Sequence, residues 1–317
     1  MGELGIPDIV GLLCALVHQI PPGRVTTYRA LAEALGDGDS VRFVTLFLAG
    51  EEARSWPVHR VVHSSGAVGR TCGGEAREKL RAEGVRVVGD RVDPLPRFFF
   101  GDFQSPRPLA RLKEEQREIA SRALLVPLPP VRRLGAVDVA YRGEEAVAAF
   151  VLADSRGDPQ EFLLARAPAR FPYIRTYLSY RELPACSAVL QEAREKGCWP
   201  DVLLVDGNGI LHPRRAGIAT HLGVLLDLST VGVAKGHLCG DVNTAGMAVG
   251  EWRPVLLDEE VVGAALRTAR NRTLFISPGH RADVQTSVDL VLDLTKREEL
   301  PPPLPLAHEL ATEAARA

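Results

Sequence analysis

Lysine is scarce in this sequence: of 38 basic residues, 5 are lysine and 33 are arginine. Arginine forks suit phosphate oxygens, but a skew along the whole chain points to a GC-rich genome and makes each lysine the more informative. Excess positive charge is also missing, the net charge being −2. A surface that attracts nucleic acid everywhere is thereby excluded, and phosphate-reading surface has to be a local patch balanced by acid elsewhere. No apolar run reaches the roughly 18 residues of a membrane span; the longest candidate, near Ile9 to Ile20, is interrupted by His18 and Gln19. The start of the chain lacks a basic flank followed by an apolar stretch, so no secretory signal is expected. Cys14, Cys72, Cys186, Cys198 and Cys239 are scattered, odd in number and without a Cys-x-x-Cys pair. Their spacing argues against structural zinc and suits a reducing, cytoplasmic setting. Internal repeats are absent, which excludes a solenoid.

What is present reads as a globular chain of two domains: 317 residues, 46% hydrophobic and 25% charged. Between Asp93 and Pro108, Pro94, Pro96, Pro106 and Pro108 surround Phe98-Phe99-Phe100. Prolines disfavour helix and three adjacent aromatics avoid water, so this stretch reads as a linker lying against a domain. The expected division is 1–92, a proline and aromatic linker over 93–105, and 106–317. After Pro301-Pro302-Pro303 a short helix, Leu306 to Ala315, is expected to close the second domain.

In the first part Ile9, Val10, Leu13, Leu16, Val17 and Ile20 recur with helical spacing, and Pro21-Pro22-Gly23 ends that helix. A second helix is expected from Thr27 to Leu35, stopping at Gly36, and a third from an N-cap at Ser40 to Gly50. Two short helices joined by a glycine-containing turn form a helix-turn-helix pattern. Around it stand Pro22-Gly23-Arg24-Val25-Thr26-Thr27-Tyr28, the helix bearing Arg42, Pro57-Val58-His59-Arg60-Val61-Val62, and Ser64-Ser65-Gly66-Ala67-Val68-Gly69 with Gly73-Gly74 and Glu83-Gly84 beyond. These segments, over about residues 6 to 90, resemble the O6-alkylguanine-DNA alkyltransferase family. The resemblance implies a winged helix-turn-helix-like, mainly α domain. Val58 stands where the family's Pro-Cys-His-Arg centre has its acceptor cysteine, and valine has no nucleophilic atom. The match is therefore to alkyltransferase-like proteins, which keep the lesion pocket and lose the chemistry. It implies that Tyr28 crowds a backbone phosphate and that Arg42 enters the base stack as a finger. Val58, His59 and Arg60 would line the lesion pocket, with His59 and Glu83 as remnants of a proton relay. Thr45 departs from the family's glycine, and Thr71-Cys72 from an aromatic-serine pair; Cys72 reads either as a thiol near the lesion or as a buried bystander.

In the second part Leu134 to Tyr141 is a β-type run with Asp138 in its middle, followed by a strand at Ala146 to Leu152. Asp201 to Gly207, Thr230 to Lys235 and Thr273 to Ser277 read as further strands, with helices at Leu183 to Lys196 and Glu259 to Ala269. That alternation argues an α/β domain around a mostly parallel sheet. A carboxylate inside an apolar strand is costly unless it is paired or binds a metal. Asp138 alone could cap a helix or pair with arginine, but Asp206 ends a strand where α/β sheets place their sites, and Glu182 stands just before a helix. Hard oxygens gathered in this way suit Mg²⁺, with Mn²⁺ as a substitute.

The runs Gly135 to Tyr141, Phe171-Pro172-Tyr173-Ile174, Tyr177 to Glu182, Asp206-Gly207-Asn208-Gly209, His212-Pro213-Arg214-Arg215, Gly217 to His221, Gly232 to Lys235 and Ser277 to Arg281 resemble endonuclease V over about residues 106 to 312. The resemblance implies a ribonuclease H-like α/β fold with a central mixed sheet, and nicking at the second phosphodiester 3′ of a deaminated adenine. It implies Asp138, Glu182 and Asp206 as metal ligands, Lys235 as the group that stabilises charge on the phosphate, and His280 beside the site. Pro172, Tyr173 and Ile174 would be the wedge that parts the strands, while Gly207, Asn208 and Gly209 would admit the flipped base. His212 and His221 fit either a lesion-side or a structural role. Arg175 replaces a second proline of the wedge.

The expected function is thus a metal-dependent DNA-repair endonuclease for deoxyinosine and O6-alkylguanine lesions, acting on damaged double- or single-stranded DNA and without alkyltransferase activity. A non-catalytic damage sensor and an inosine-specific RNA endonuclease stay open as alternatives.

Overall fold

Ile9, Leu13, Leu16 and Val17 recur at helical spacing and are all buried, and Asp8 caps their helix by accepting from the Gly11 N–H at 2.8 Å. This is α1 (Ile9–His18) in a computed structural model that describes residues 5–69, 75–296 and 299–317. These residues form two units: 5–114 together with 171–175, and 115–170 together with 176–317. Thr71, Cys72, Gly73 and Gly74 lie outside the described residues.

In the first unit β1 (Thr26–Thr27) leads into α2 (Tyr28–Leu35), which Thr27 caps through the Ala30 N–H. Gly36 ends α2 at φ 101°, a conformation open to glycine. A 3-10 turn follows, and then α3 (Val41–Leu48). Ser40 stands at the N-cap of α3 but does not cap it: its hydroxyl donates to the Asp37 carbonyl at 2.6 Å. Beyond lie β2 (Val61–Val62), parallel to β1, then α4 (Ala76–Ala82), and the antiparallel ribbon of β3 (Val87–Val88) and β4 (Arg91–Val92), which is the wing. The proline segment is structured. It carries α5 (Leu95–Phe98), and Phe99 bridges Val25, although Phe99 itself stays exposed. Phe98 packs on the cluster of Val25, Val62, Leu80, Val85 and Val92.

α6 (Pro108–Ser121) leads to an eight-stranded sheet. The chain runs β5 (Arg133–Arg142), β6 (Glu145–Asp154), β7 (Pro159–Pro168), α7 (Leu178–Glu195), β8 (Val202–Asp206), α8 (Ile218–Leu226), β9 (Ser229–Ala234), β10 (Trp252–Leu257), β11 (Glu260–Ala269), β12 (Arg272–His280), α9 (Val284–Leu294) and α10 (Pro303–Arg316). The strand order is β10-β11-β12-β9-β8-β5-β6-β7. Among the described strands of this sheet, only the β5–β8 and β8–β9 pairs are parallel. The sheet is therefore mixed rather than mostly parallel, because hairpins build both of its flanks.

One correction concerns Glu259 to Ala269, expected as a helix and found as strand β11. Its apolar run meets two cores, Val262 and Ala265 on one face and Ala264 and Leu266 on the other. A strand buried on both faces shows no alternation in sequence. The period of 2 is clear in β5 and β8. Val137, Leu203 and Val205 face the core beneath α7 and α8, while Leu134, Ala136, Val202 and Leu204 face the core beneath α9. α10 covers Ala149 and Val151 on the α9 side with Ala307 and Ala311.

Candidate active site

β5 and β8 run parallel in a register that pairs Val137 with Val205, so the next residues, Asp138 and Asp206, are neighbours across about 4.8 Å of strand spacing. Both are mostly buried; Asp138 lies in the middle of β5 and Asp206 ends β8. The Lys235 ammonium, just past β9, donates to Asp206 Oδ2 at 2.6 Å. His308 on α10 donates from Nδ1 to Asp138 Oδ2 at 2.7 Å. Glu182 comes from the α7 layer and accepts from the Tyr141 hydroxyl at 3.1 Å. Burial, together with the charges of Asp138 and Asp206, pushes the Glu182 carboxyl up to about 8, against the hydrogen bond from Tyr141. Burial and Asp206 likewise raise Asp138, while Tyr141 is driven far above its ordinary value by burial and by Glu182.

Negative charge thus gathers around Asp138, Glu182 and Asp206 and raises the proton affinity of Asp138 and Glu182, an imbalance that a divalent cation relieves. Their oxygens are the hard donors that Mg²⁺ prefers. Among the described residues no three acidic, histidine or cysteine side chains stand at metal-ligand spacing. The donor chemistry fits, and a carboxylate that accepts one hydrogen bond, as Asp138 does from His308 and Asp206 from Lys235, keeps further lone pairs for a cation. His308 was not among the residues expected from sequence: a histidine on a terminal helix carries no local signal, and only the return of α10 over β5 brings it to Asp138.

His280 is not brought to the acids. It pairs with Thr230, five residues before Lys235 along β9, or roughly 16 Å away at strand rise. There it accepts from the Leu124 N–H at 3.2 Å and donates to Asp227 at 3.2 Å. His212 and His221 are both buried, and burial lowers them to about 3 and about 4, with Arg214 contributing at His212. His212 accepts from the Arg214 N–H at Nδ1 and donates from Nε2 to the Thr176 carbonyl at 3.0 Å, which is a structural role. His221 meets the Tyr180 ring edge-on, and its Nε2 has no partner among the described residues.

The glycines of Gly207-Asn208-Gly209 serve close packing inside the protein. A Cβ on Gly209 would fall 2.1 Å from the Pro278 carbonyl oxygen, and one on Gly232 would fall 2.5 Å from the Gly209 nitrogen. Asn208 Oδ1 is buried without a partner among the described residues. In the segment expected to be a wedge, Tyr173 is 68% exposed, Phe171 and Ile174 are buried and Pro172 is half-buried.

In the first unit Arg42 is exposed on α3, and so is Leu46 one turn later, at 63%. Tyr28 does not project towards solvent; its nearly buried ring lies 5.2 Å from that of His63. Val58 is buried at the start of a 3-10 turn. His59 donates to Glu83 at 2.9 Å, and Arg60 grips the same carboxylate through Nε and Nη2 while donating to the Ile20 carbonyl. Arg60 is therefore an internal strut rather than a free DNA contact. Burial would raise Glu83, but Arg60, His59 and the Gly23 N–H outweigh it and hold the carboxyl at about 2.

Residues 114–309 match the model of endonuclease V. The chain belongs to the endonuclease V family. Residues 12–85 match the DNA-binding domain of 6-O-methylguanine DNA methyltransferase, so this endonuclease V nuclease carries an alkyltransferase-like DNA-binding domain. A protein described as a bifunctional methyltransferase/endonuclease, from Picrophilus torridus, is 32% identical over 305 residues, 95% of either chain. An endonuclease V from Thermofilum pendens is 43% identical over 236 residues, 71% of this chain and 94% of its own. Among solved structures, Ciona intestinalis endonuclease V in complex with a 24mer DNA containing an inosine followed by a ribo-adenosine superposes at a TM-score of 0.59. It is 25% identical over 66% of this chain and 98% of its own.

Proposed function

We propose that this endonuclease V hydrolyses DNA beside deoxyinosine, at the second phosphodiester on the 3′ side, in a Mg²⁺-dependent reaction. The observation that carries the reading is the cluster of Asp138, Glu182 and Asp206 with Lys235 beside it. Mg²⁺, or Mn²⁺ in its place, would be held by the three carboxylates and would supply Lewis acidity towards the scissile phosphate. Lys235 then offers positive charge where the phosphate gains negative charge. His308 holds Asp138 from the side of α10, and Tyr141 orients Glu182. Tyr173, exposed at the tip of its loop, takes the place of the base that leaves the stack, and Asn208 Oδ1 is an unused acceptor for a base. The inosine in the Ciona complex supports this choice of lesion. The test is nicking of inosine duplex by the full chain with Mg²⁺, with chelator, and with undamaged duplex. Cleavage that is indifferent to inosine or to chelator would overturn the reading. Because the Ciona strand carries a ribose after its inosine, an inosine RNA belongs in the same assay.

The alkyltransferase-like domain, in the same reading, binds O6-alkylguanine without accepting the alkyl group. His59 and Glu83 still form their pair, but the position before His59 is valine. Mass spectrometry after incubation with O6-methylguanine duplex should show no added methyl. A methylated protein would refute this part alone.

A further inference from the structure

Thr176 follows the loop 171–175 and precedes Tyr177, the N-cap of α7. Its φ is 70°, a left-handed backbone that is a genuine outlier for a β-branched residue. Strain of this kind persists only where the surroundings over-determine it. Here three side chains converge on one carbonyl. Gln116 donates from Nε2 at 2.9 Å, Arg214 from Nη2 at 2.8 Å, and His212 from Nε2 at 3.0 Å. Arg214 Nη2 also reaches the Thr176 hydroxyl at 2.8 Å.

The donors hold one another as well. Arg214 Nε donates to Gln116 Oε1, which fixes the Gln116 amide with its NH₂ towards Thr176. The Arg214 N–H donates to His212 Nδ1, which leaves the imidazole proton on Nε2, the atom facing Thr176. The Arg214 guanidinium lies 4.5 Å from the centre of the Tyr177 ring. Gln116 has no exposed surface and His212 almost none. An internal network in which each donor has its acceptor is rigid and holds one geometry.

We propose that Gln116, His212 and Arg214 are positioning residues: they lock Thr176 in its left-handed conformation and so present the strand-parting loop 171–175 to duplex DNA. The inference rests on reading that loop as the strand-parting element. His212 and Arg214 follow Asp206 on the loop after β8, and Gln116 comes from α6, so two distant segments of chain close on this residue. Tyr173 precedes Thr176 by three positions and Glu182 follows it by six. A loosened Thr176 frees the loop first, since α7 has its own helical bonds and its packing on β5, β6 and β7.

The experiment uses full-length protein with inosine in duplex and in single-stranded DNA. Gln116→Glu keeps the size and the acceptor for Arg214 but removes the donor to Thr176. The KM for duplex should rise about tenfold, the weight of one or two hydrogen bonds, while the single-strand kinetics stay within about twofold. His212→Phe, which keeps a ring and removes the donor, should behave alike and serves if Gln116→Glu does not fold. Thr176→Gly removes the steric strain, and combined with Gln116→Glu it should recover most of the lost duplex KM. Tyr173→Ala should show the same duplex-only defect, and adding Gln116→Glu to it should change little. Equal losses on duplex and single strand, or additive losses in the double variant, would overturn the clamp and leave the strand-parting reading standing. A Tyr173→Ala protein with no duplex-selective defect would remove that reading and the clamp with it.

Discussion

Glu182 concentrates the problem that the acid cluster poses. Its carboxyl, raised to about 8 by burial and by Asp138 and Asp206, holds a proton in the native state that the unfolded chain releases near 4.5. Such a group supports the fold most fully below the unfolded value and withdraws that support as pH rises through about 8. In chelator the melting temperature should therefore fall between about pH 5 and pH 8, and Mg²⁺ should restore most of the loss at the upper end. Equal Mg²⁺ stabilisation at both ends would argue against cation binding there. Asp138→Ala or Asp206→Ala should abolish nicking and leave DNA affinity within a few-fold, because such ligands act on the transition state; residual Mg²⁺-dependent cleavage by purified variant would count against the assignment. Glu83 runs in the opposite direction. Held at about 2 against burial by Arg60, His59 and Gly23, it stabilises the fold above about pH 4.5 and loses that contribution as pH falls towards 2. Glu83→Gln should cost about 3 kcal/mol at neutral pH, the equivalent of that displacement, and far less near pH 2, as read by denaturant midpoints. Asp138 and Asp206 were legible in sequence because charge in an apolar strand demands a reason, whereas His308 and Gln116 matter only through partners many positions away. His280 misleads because a histidine after Ser277-Pro278-Gly279 looks like a site residue, and only the register reveals that it stands far along the strand from Lys235.

At the scale of elements, the parallel trio β5, β8 and β9 places Asp138, Asp206 and Lys235, α7 adds Glu182, and the flanking hairpins complete the sheet. The trio was readable: short apolar runs ending in Asp206 or Lys235 have the length and the ends of central strands. β11 was not, since ten residues with no alternation sit at the border between a long strand and a short helix, and its two-sided burial erases the pattern. Register is equally invisible to local pattern, yet it decides which glycines are indispensable. Gly232 on β9 lies so near the Gly207 and Gly209 backbone that a methyl group has nowhere to go. Gly232→Ala should lower stability by about 1–3 kcal/mol and reduce nicking, by displacing the loop that follows Asp206. Unchanged urea midpoint and activity would mean that the loop moves freely. α10 is a second such case: His308→Ala should weaken Mg²⁺ binding by about 10-fold or more, as partners of metal ligands commonly do, measured by Mg²⁺ titration of activity and of melting temperature.

For the whole molecule, the division of the chain does not follow its order. Residues 171–175 group with 5–114, while the residues on either side of them belong to the other unit. Within that segment Phe171 and Ile174 are almost without exposed surface. A fragment beginning at residue 106 would separate residues 171–175 from most of the unit with which they group. It should aggregate more readily and discriminate inosine duplex less well than the full chain, as light scattering and paired nicking assays would record; a monodisperse fragment of undiminished selectivity would contradict this. The consequence reaches into descent. Two genes joined end to end can be parted again by a single break, but here five residues inside the nuclease have been lent to its neighbour. Fission between the halves would leave the nuclease with an orphaned loop, so the fusion has become a ratchet: easy to enter, and hard to leave without rewriting residues 171–175.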